Sequence, residues 1–276
     1  MTEPVAWKPI GRVARDRLVH ARLIAHHALQ PLAGAARTRL PPAPDDSHTS
    51  LTWRGEEGAL ATGAFPGGPA IAFRVRDLNF THDGAAFDPA GRTQGEISAW
   101  LAERLDLGDG AAAGLTPPPY DMPAHPVADG AVIDTAPWRA ELLELSNWFA
   151  NAHACLTEAV TGLEGVHEVS PARCWPHHFD IAALVSLEPQ TGEDSKSVNA
   201  GLSPGDESYD QPYFYVSPWP YPDPAALADL PVGAWRTDGF TAAILTAVEI
   251  SNAADSGEAA AMFLKAAIDT SRKALA

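Results

Sequence analysis

The segment WPHHFD, residues 175–180, places two adjacent histidines and an aspartate at the start of an apolar run. The run that follows, IAALV, predicts a β-strand, in which side chains alternate between the two faces. If the strand includes the histidines, His178 and Asp180 share one face and His177 lies on the other. An imidazole and a carboxylate on one face can supply two metal ligands, or a general base and the carboxylate that orients it. The structural alternative is that Asp180 fixes the entry of the strand by accepting a hydrogen bond.

A second polar segment, GLSPGDESYDQPYFYVSPW, covers residues 201–219. Its Pro-Gly pair predicts a bend that displays carboxylates, and the PYFYV run predicts a strand with its tyrosines on one face. If both predicted strands join one sheet, their polar side chains converge on a surface walled by aromatic residues, which is typical of a ligand pocket. The candidate ligand-binding residues are Trp175, His177, His178, Asp180, Asp206, Glu207, Tyr213, Tyr215 and Trp219.

Part of the same set offers a candidate site for a divalent metal. The proposed ligands are His178, Asp180 and Glu207, with Asp206 as an alternative carboxylate. The sequence has no HExxH spacing, no Walker phosphate loop and no GxGxxG turn after a strand, so these metal and nucleotide motifs are excluded. The tryptophans and tyrosines can stack on flat ligands or sugars, or can serve as ordinary packing.

Composition restricts the partners of the chain. The 276 residues are 46% hydrophobic and 20% charged, as in soluble globular proteins. A formal charge of −16 argues against nucleic acid, which requires clustered basic residues. No apolar run is long enough for a membrane span, and the N-terminus lacks the apolar core of a signal peptide. We therefore expect a cytoplasmic protein in which Cys155 and Cys174 are reduced.

Hydrophobic periodicity predicts the elements that position these residues. The first part shows helical spacing over residues 10–33, three short strands within residues 50–75, and a helix over 92–107. Thr93 and Glu96 predict a capping box at the start of that last helix. The second part predicts a helix over 136–160, strands over 178–188, 197–203, 212–218 and 240–250, and a final helix over 256–275 with Ser256 as its N-cap.

The order of elements predicts an α+β fold, with antiparallel sheets and helices packed on one side. Residues 1–107 form one helix–strands–helix half, and residues 138–276 form a similar half that carries both polar segments. Residues 108–137, rich in Gly and Pro, are predicted to be a connector that lies over a surface. The likeness of the two halves suggests an internal duplication.

The motifs WPHHFD, SPGDE and PYFYVSPWPYP resemble an uncharacterised bacterial protein family, a domain of unknown function. In that pattern a long helix leads to a [WS]-x-H-x-F-D strand, followed by a G-x-x-P-G-D/G turn, a P-x-x-Y strand and an F-L pair in the last helix. The resemblance is clearest over residues 137–275. It implies a soluble α+β protein and supplies no catalytic residues. The corresponding positions here are Cys174–Asp180, Gly201–Glu207, Pro212–Tyr215 and Phe263-Leu264.

Three functions follow from these patterns. The first is a small-molecule binding protein with its pocket at WPHHFD and SPGDE. The second is a metal-dependent hydrolase in which His178 and Asp180, with Asp206 or Glu207, hold a metal that polarises water. The third is a structural or protein-interaction role for residues 206–221. The sequence does not identify the ligand, the oligomeric state, or whether the halves carry one site or two.

Overall fold

In a computed structural model of the chain, the structure describes residues 6–107, 115–192 and 194–276. The described residues form five α-helices and twelve β-strands, and every strand pair defined below is antiparallel, which confirms the predicted α+β class. The helices are α1 (Arg15–Arg39), α2 (Gln94–Arg104), α3 (Arg139–Val160), α4 (Ala247–Asn252) and α5 (Ser256–Ala274). The strands are β1 (Leu51–Arg54), β2 (Ala59–Ala61), β3 (Ala72–Arg74), β4 (Asn79–His82), β5 (Ala85–Phe87), β6 (Glu168–Val169), β7 (Arg173–Trp175), β8 (Asp180–Ser186), β9 (Ser197–Ser203), β10 (Tyr213–Trp219), β11 (Ala234–Arg236) and β12 (Ala242–Thr246).

The chain divides into two compact units, neither of which is continuous in sequence. We call Val13–Ser146 together with Cys174–Phe179 the N-terminal unit. The C-terminal unit comprises the residues up to Arg12, then Asn147–Arg173 and Asp180–Ala276. These boundaries differ from the sequence divisions at residues 107 and 138, and the internal duplication stays a prediction.

The N-terminal unit is built on the long helix α1. Between Leu18 and Ala36 nearly every residue of this helix is buried, including two histidines and a glutamine, so the helix runs through the core of the unit. It extends beyond the predicted end at residue 33 because Pro41 and Pro42 are the first residues after it that block continuation.

This unit also contains a meander of five strands, in which each of β1 to β4 pairs with the next strand. The sequence predicted only the first three. The β4–β5 hairpin closes through Asp83 and Gly84, both at positive φ, as an Asp-Gly turn favours. The predicted capping box of α2 is confirmed, since Thr93 and Glu96 each accept a hydrogen bond from the other's backbone N–H.

The described part of the connector is bonded to α1. The backbone N–H of Thr116 donates to Thr38 Oγ1 at 2.9 Å, and the Tyr120 hydroxyl donates to Gln30 Oε1 at 2.9 Å. Residues 108–114 of the connector lie outside the described residues. From residue 115 the segment is therefore anchored within the N-terminal unit.

In the C-terminal unit the strand order is β11-β12-β10-β9-β8, with β6 also pairing with β8. Helix α5 contacts β9, β10 and β12, as predicted for a helix packed on the sheet. The prediction for 197–203 is confirmed, but the prediction of a strand through residue 250 is wrong. Thr246 and Glu249 form a capping box that ends β12 and begins α4. The N-cap of α5 is Asp255 rather than Ser256.

Among the described residues, no helix combines the length and the apolar character required to cross a membrane.

Candidate functional site

The WPHHFD segment folds as a turn between two strands. Strand β7 ends at Trp175, residues 176–179 form the turn, and β8 begins at Asp180. The Phe179 N–H donates to the Trp175 carbonyl at 2.8 Å, and Phe179 has a φ of 57°, in the left-handed region that favours glycine. The prediction that alternation along a strand places His178 and Asp180 on one face is therefore wrong, because His178 precedes the strand.

Helix α1 holds this turn in the N-terminal unit. His26 Nε2 lies 2.8 Å from the Pro176 carbonyl oxygen, and Gln30 Nε2 donates to the same oxygen at 2.9 Å. The carbonyl can only accept, so Nε2 of His26 carries a proton. The His26 ring also stacks on Phe179, with ring centroids 5.3 Å apart and planes within 7°.

Burial lowers the pKa of His26 from 6.5 to about 4, although the hydrogen bond to the Pro176 carbonyl opposes this shift, and the positive charge of Arg22 lowers the pKa further. His26 is therefore a neutral donor at physiological pH. Sequence reasoning assigned it no role and missed Gln30. The available signal was the spacing of four residues, which places His26 and Gln30 on the same side of a helix.

The other predicted residues of this segment form an aromatic cluster at the turn. The half-buried ring of His177 lies 4.2 Å from the His178 ring, 5.8 Å from the Tyr120 ring and 6.2 Å from Trp175. Burial, with a contribution from His178, lowers the pKa of His177 to about 4. His178 itself is exposed. His177 is therefore uncharged at neutral pH, and its ring packs among the other three aromatic rings.

In the C-terminal unit, Asp180 and Tyr215 meet across β9. The Tyr215 hydroxyl donates to Asp180 Oδ2, and Asp180 is buried, with 7% of its surface exposed. Gly201 lies opposite Tyr215 on one side and Ala182 on the other. A Cβ atom at Gly201 would lie 2.6 Å from Tyr215 Cζ, so only glycine lets the ring lie across β9. Burial and the Asp180 charge raise the pKa of Tyr215, which keeps the phenol protonated.

Asp206 organises the predicted SPGDE bend. Its Oδ1 accepts hydrogen bonds from the N–H groups of Ser208 at 2.8 Å and Tyr209 at 3.0 Å, and its Oδ2 accepts one from the Tyr213 hydroxyl. The Tyr213 ring lies 4.8 Å from Tyr209 and 6.2 Å from Tyr215. Burial raises the pKa of Tyr213, and the bond to Asp206 raises it further. The bend and the tyrosine strand are thus joined through one carboxylate.

An open cavity of about 520 Å³ adjoins this bend, and we call it the Tyr209 cavity. Sequence reasoning placed a pocket near SPGDE but named none of the residues that line this cavity, and those on the β11 side belong to a short, non-periodic segment. They combine aromatic rings, hydroxyl groups and one charge of each sign. The lining residues are Ser208, Tyr209, Trp235, Arg236, Thr237, Asp238 and Phe240.

The structure divides the nine predicted site residues between the units. Trp175, His177 and His178 belong to the N-terminal unit. The other six belong to the C-terminal unit, where the structure pairs Asp180 with Tyr215 and Asp206 with Tyr213. In the same unit Glu207 is exposed, and Trp219 is 41% exposed and packs edge-on against Tyr221.

The candidate metal ligands do not form a metal centre. Within residues 6–107, 115–192 and 194–276, no group of three or more His, Cys, Asp or Glu side chains is arranged to hold a metal ion. Instead, His178 lies in the exposed part of a turn, and Asp180 accepts a hydrogen bond from Tyr215.

Comparisons of the chain with protein-family models, with curated proteins and with solved structures find no match.

Proposed function

We propose that this protein binds a small organic ligand in the Tyr209 cavity. The observation that carries this proposal is the cavity itself, whose volume of about 520 Å³ lies within the range of small-molecule sites. It borders the bend for which the sequence predicts a pocket. The bend forms one wall of the cavity. Asp206 holds this wall in place without a ligand, because it accepts hydrogen bonds from both the backbone of the bend and the Tyr213 hydroxyl.

The lining favours a ligand that has a ring and both signs of charge. Tyr209, Trp235 and Phe240 offer aromatic surfaces for stacking, and Phe240 is 40% exposed. Arg236 suits a carboxylate, because its guanidinium presents paired donors. Asp238 suits an ammonium group. An aromatic amino acid carries all three features, so we propose this class of ligand.

Calorimetric titration with L-phenylalanine tests the proposal. We expect binding of L-phenylalanine, and weaker binding of phenylacetate and phenethylamine, each of which lacks one of the two charges. Trp235→Ala should abolish binding, whereas Trp219→Ala, which removes an exposed ring outside the cavity, should not change it. If none of the three compounds binds, the cavity is not a site for this class of ligand.

A protein-interaction role for residues 206–221 is the second candidate function. It is favoured by Trp219 and Tyr221, which leave 41% and 46% of their surfaces exposed. Their rings pack edge-on with centroids 5.1 Å apart. Exposed aromatic residues of this kind are enriched at protein interfaces. Light scattering tests this role in self-association: the mass of the wild type should rise with concentration, and that of Trp219→Ala should not.

We also propose a cytoplasmic location and membership of the uncharacterised bacterial family that the motifs resemble. The location is supported by Cys155 and Cys174, which are both free and buried, as is usual in a reducing compartment. Fractionation of the source cells tests it. The family proposal is supported by the roles of its motif residues, because Asp180 accepts a hydrogen bond from Tyr215 and Asp206 organises a turn. Asp206→Asn tests the role of this motif carboxylate and should destabilise the fold, and an unchanged stability would remove this support.

A further inference from the structure

We infer that the C-terminal unit carries a second binding site, a groove between α3 and α5 that takes an organic cation with an apolar body. This α3–α5 groove is distinct from the Tyr209 cavity, with which it shares no residue, and its volume is about 490 Å³. It is lined by Cys155, Glu158, Ala159, Thr161, Leu163, Glu258, Ala261, Met262, Lys265, Ile268 and Asp269.

The floor of the groove is apolar. Ile268 is 1% exposed and Cys155 is 8% exposed, whereas Met262 leaves 44% of its surface open to solvent. Burial and the charge of Glu158 raise the pKa of the Cys155 thiol to about 12, so the thiol is neutral and acts as a small apolar surface. A flexible methionine beside such a floor adapts to ligands of different shape. The floor therefore suits an alkyl or aryl body.

The charged lining of the groove is mostly acidic. Glu158, Glu258 and Asp269 contribute three carboxylates, and Lys265 contributes one ammonium group. Asp269 also lies 3.9 Å from Arg272, which compensates part of its charge. The two glutamates still leave an excess of negative charge beside the apolar floor. Charge complementarity therefore selects a cation and disfavours an anion.

The size of the groove favours a small molecule over a protein segment. A volume of about 490 Å³ is typical of sites that enclose a drug-sized ligand. A bound helix would instead need a long apolar surface for residues spaced over several turns. The ligand class is thus an amine or quaternary ammonium compound with an apolar chain or ring.

Titration with octyltrimethylammonium, kept below its micelle-forming concentration, tests this inference on the full chain. We expect one molecule to bind in the groove, and we expect added salt to weaken the binding, because the pairing is electrostatic and partly exposed. Octanesulfonate has the same chain with a negative head group, and tetramethylammonium has the head group without the chain. Both should bind at least tenfold more weakly. Equal binding of octanesulfonate would overturn the inference.

Matched variants locate the site. Glu158→Gln/Glu258→Gln removes two carboxylates with little change of shape and should weaken binding about fivefold. Glu168→Gln/Asp229→Asn removes two exposed carboxylates elsewhere in the same unit and should leave the affinity unchanged. Ala261→Phe should block the groove, whereas Trp235→Ala, in the Tyr209 cavity, should have no effect.

Two results would overturn the inference even if one variant fails to fold. The first is an unchanged affinity of the Glu158→Gln/Glu258→Gln protein. The second is binding of a basic amphipathic peptide without binding of octyltrimethylammonium, which would assign the groove to a protein partner. Loss of phenylalanine binding in Trp235→Ala does not bear on this site, so the two proposals fail separately.

Discussion

Acidification should destabilise the protein through His26. This side chain is 5% exposed, donates to Pro176, and has its pKa lowered from 6.5 to about 4. Above pH 6.5 both the folded and the unfolded imidazole are neutral, so His26 makes no pH-dependent contribution. As the pH falls below 6.5, His26 binds a proton in the unfolded chain but stays neutral in the folded protein, so the free energy of unfolding decreases.

The magnitude follows from the two pKa values. Proton linkage predicts a loss of about 2 kcal/mol at pH 5 and about 3 kcal/mol at pH 4 from this residue alone. Such a loss is a large part of the stability of an ordinary domain. His26→Gln keeps a donor for the Pro176 carbonyl but cannot be protonated, so its stability should depend less on pH.

Urea unfolding at pH 7.5 and pH 5 measures the effect as a difference between proteins. The wild type should lose about 2 kcal/mol more than His26→Gln over this interval. The contributions of His27, His125 and His177, whose pKa values are also lowered by burial, are present in both proteins and cancel. His167→Gln, at an exposed position, should behave as the wild type does. An equal loss in wild type and His26→Gln would refute the reasoning.

Three further predictions concern the C-terminal unit and the cysteines. Gly201→Ala should cost about 1–3 kcal/mol in urea unfolding, because its Cβ would overlap the Tyr215 ring; an unchanged midpoint would contradict this packing. Tyr215→Phe should cost about 1–3 kcal/mol, because it removes the hydroxyl that bonds the buried carboxylate of Asp180; a neutral result would mean that the hydrogen bond adds nothing. Iodoacetamide should not label Cys155 or Cys174 in the folded protein at pH 8, because Cys174 is fully buried and the raised pKa of Cys155 keeps its thiol protonated, and labelling should appear only with urea.

Periodicity and capping signals were enough to predict most of the secondary structure. The apolar spacing located α1, α3 and α5, and the Thr93–Glu96 pair correctly marked the start of α2. A second pair of the same type, Thr246 and Glu249, was hidden inside an apolar run. The run stayed apolar while the backbone changed from strand to helix, so the capping pair was a more reliable signal of the boundary than hydrophobicity.

The turn at residues 176–179 could not be predicted from local sequence. Its apolar and aromatic residues resemble the start of a strand, and Phe179 adopts a φ that its own side chain disfavours. The residue that holds the turn, His26, lies 150 positions away from the carbonyl it contacts. A tertiary contact therefore overrides the local preference for a strand. As a result, His178 lies in the turn and not on the strand face that it was predicted to share with Asp180.

The candidate site was predicted in part. The alternation of PYFYV correctly placed Tyr213 and Tyr215 on one face of a strand, where each hydroxyl reaches an aspartate. The pairing of Tyr215 with Asp180 depends on the absence of a side chain at Gly201. The sequence shows this glycine but does not indicate which side chain lies over it. The β11 wall of the Tyr209 cavity comes from a short segment with no hydrophobic period.

The discontinuity of the two units limits how the protein can be dissected. The chain passes from one unit to the other after Arg12, Ser146, Arg173 and Phe179. A gene truncated at residue 146 would encode α1 without the hexapeptide of residues 174–179, whose Pro176 carbonyl binds His26 and Gln30. The shortened polypeptide would therefore have a defect in the interior of the N-terminal unit. Supplying that hexapeptide in trans, as a synthetic peptide, would be the direct way to restore it.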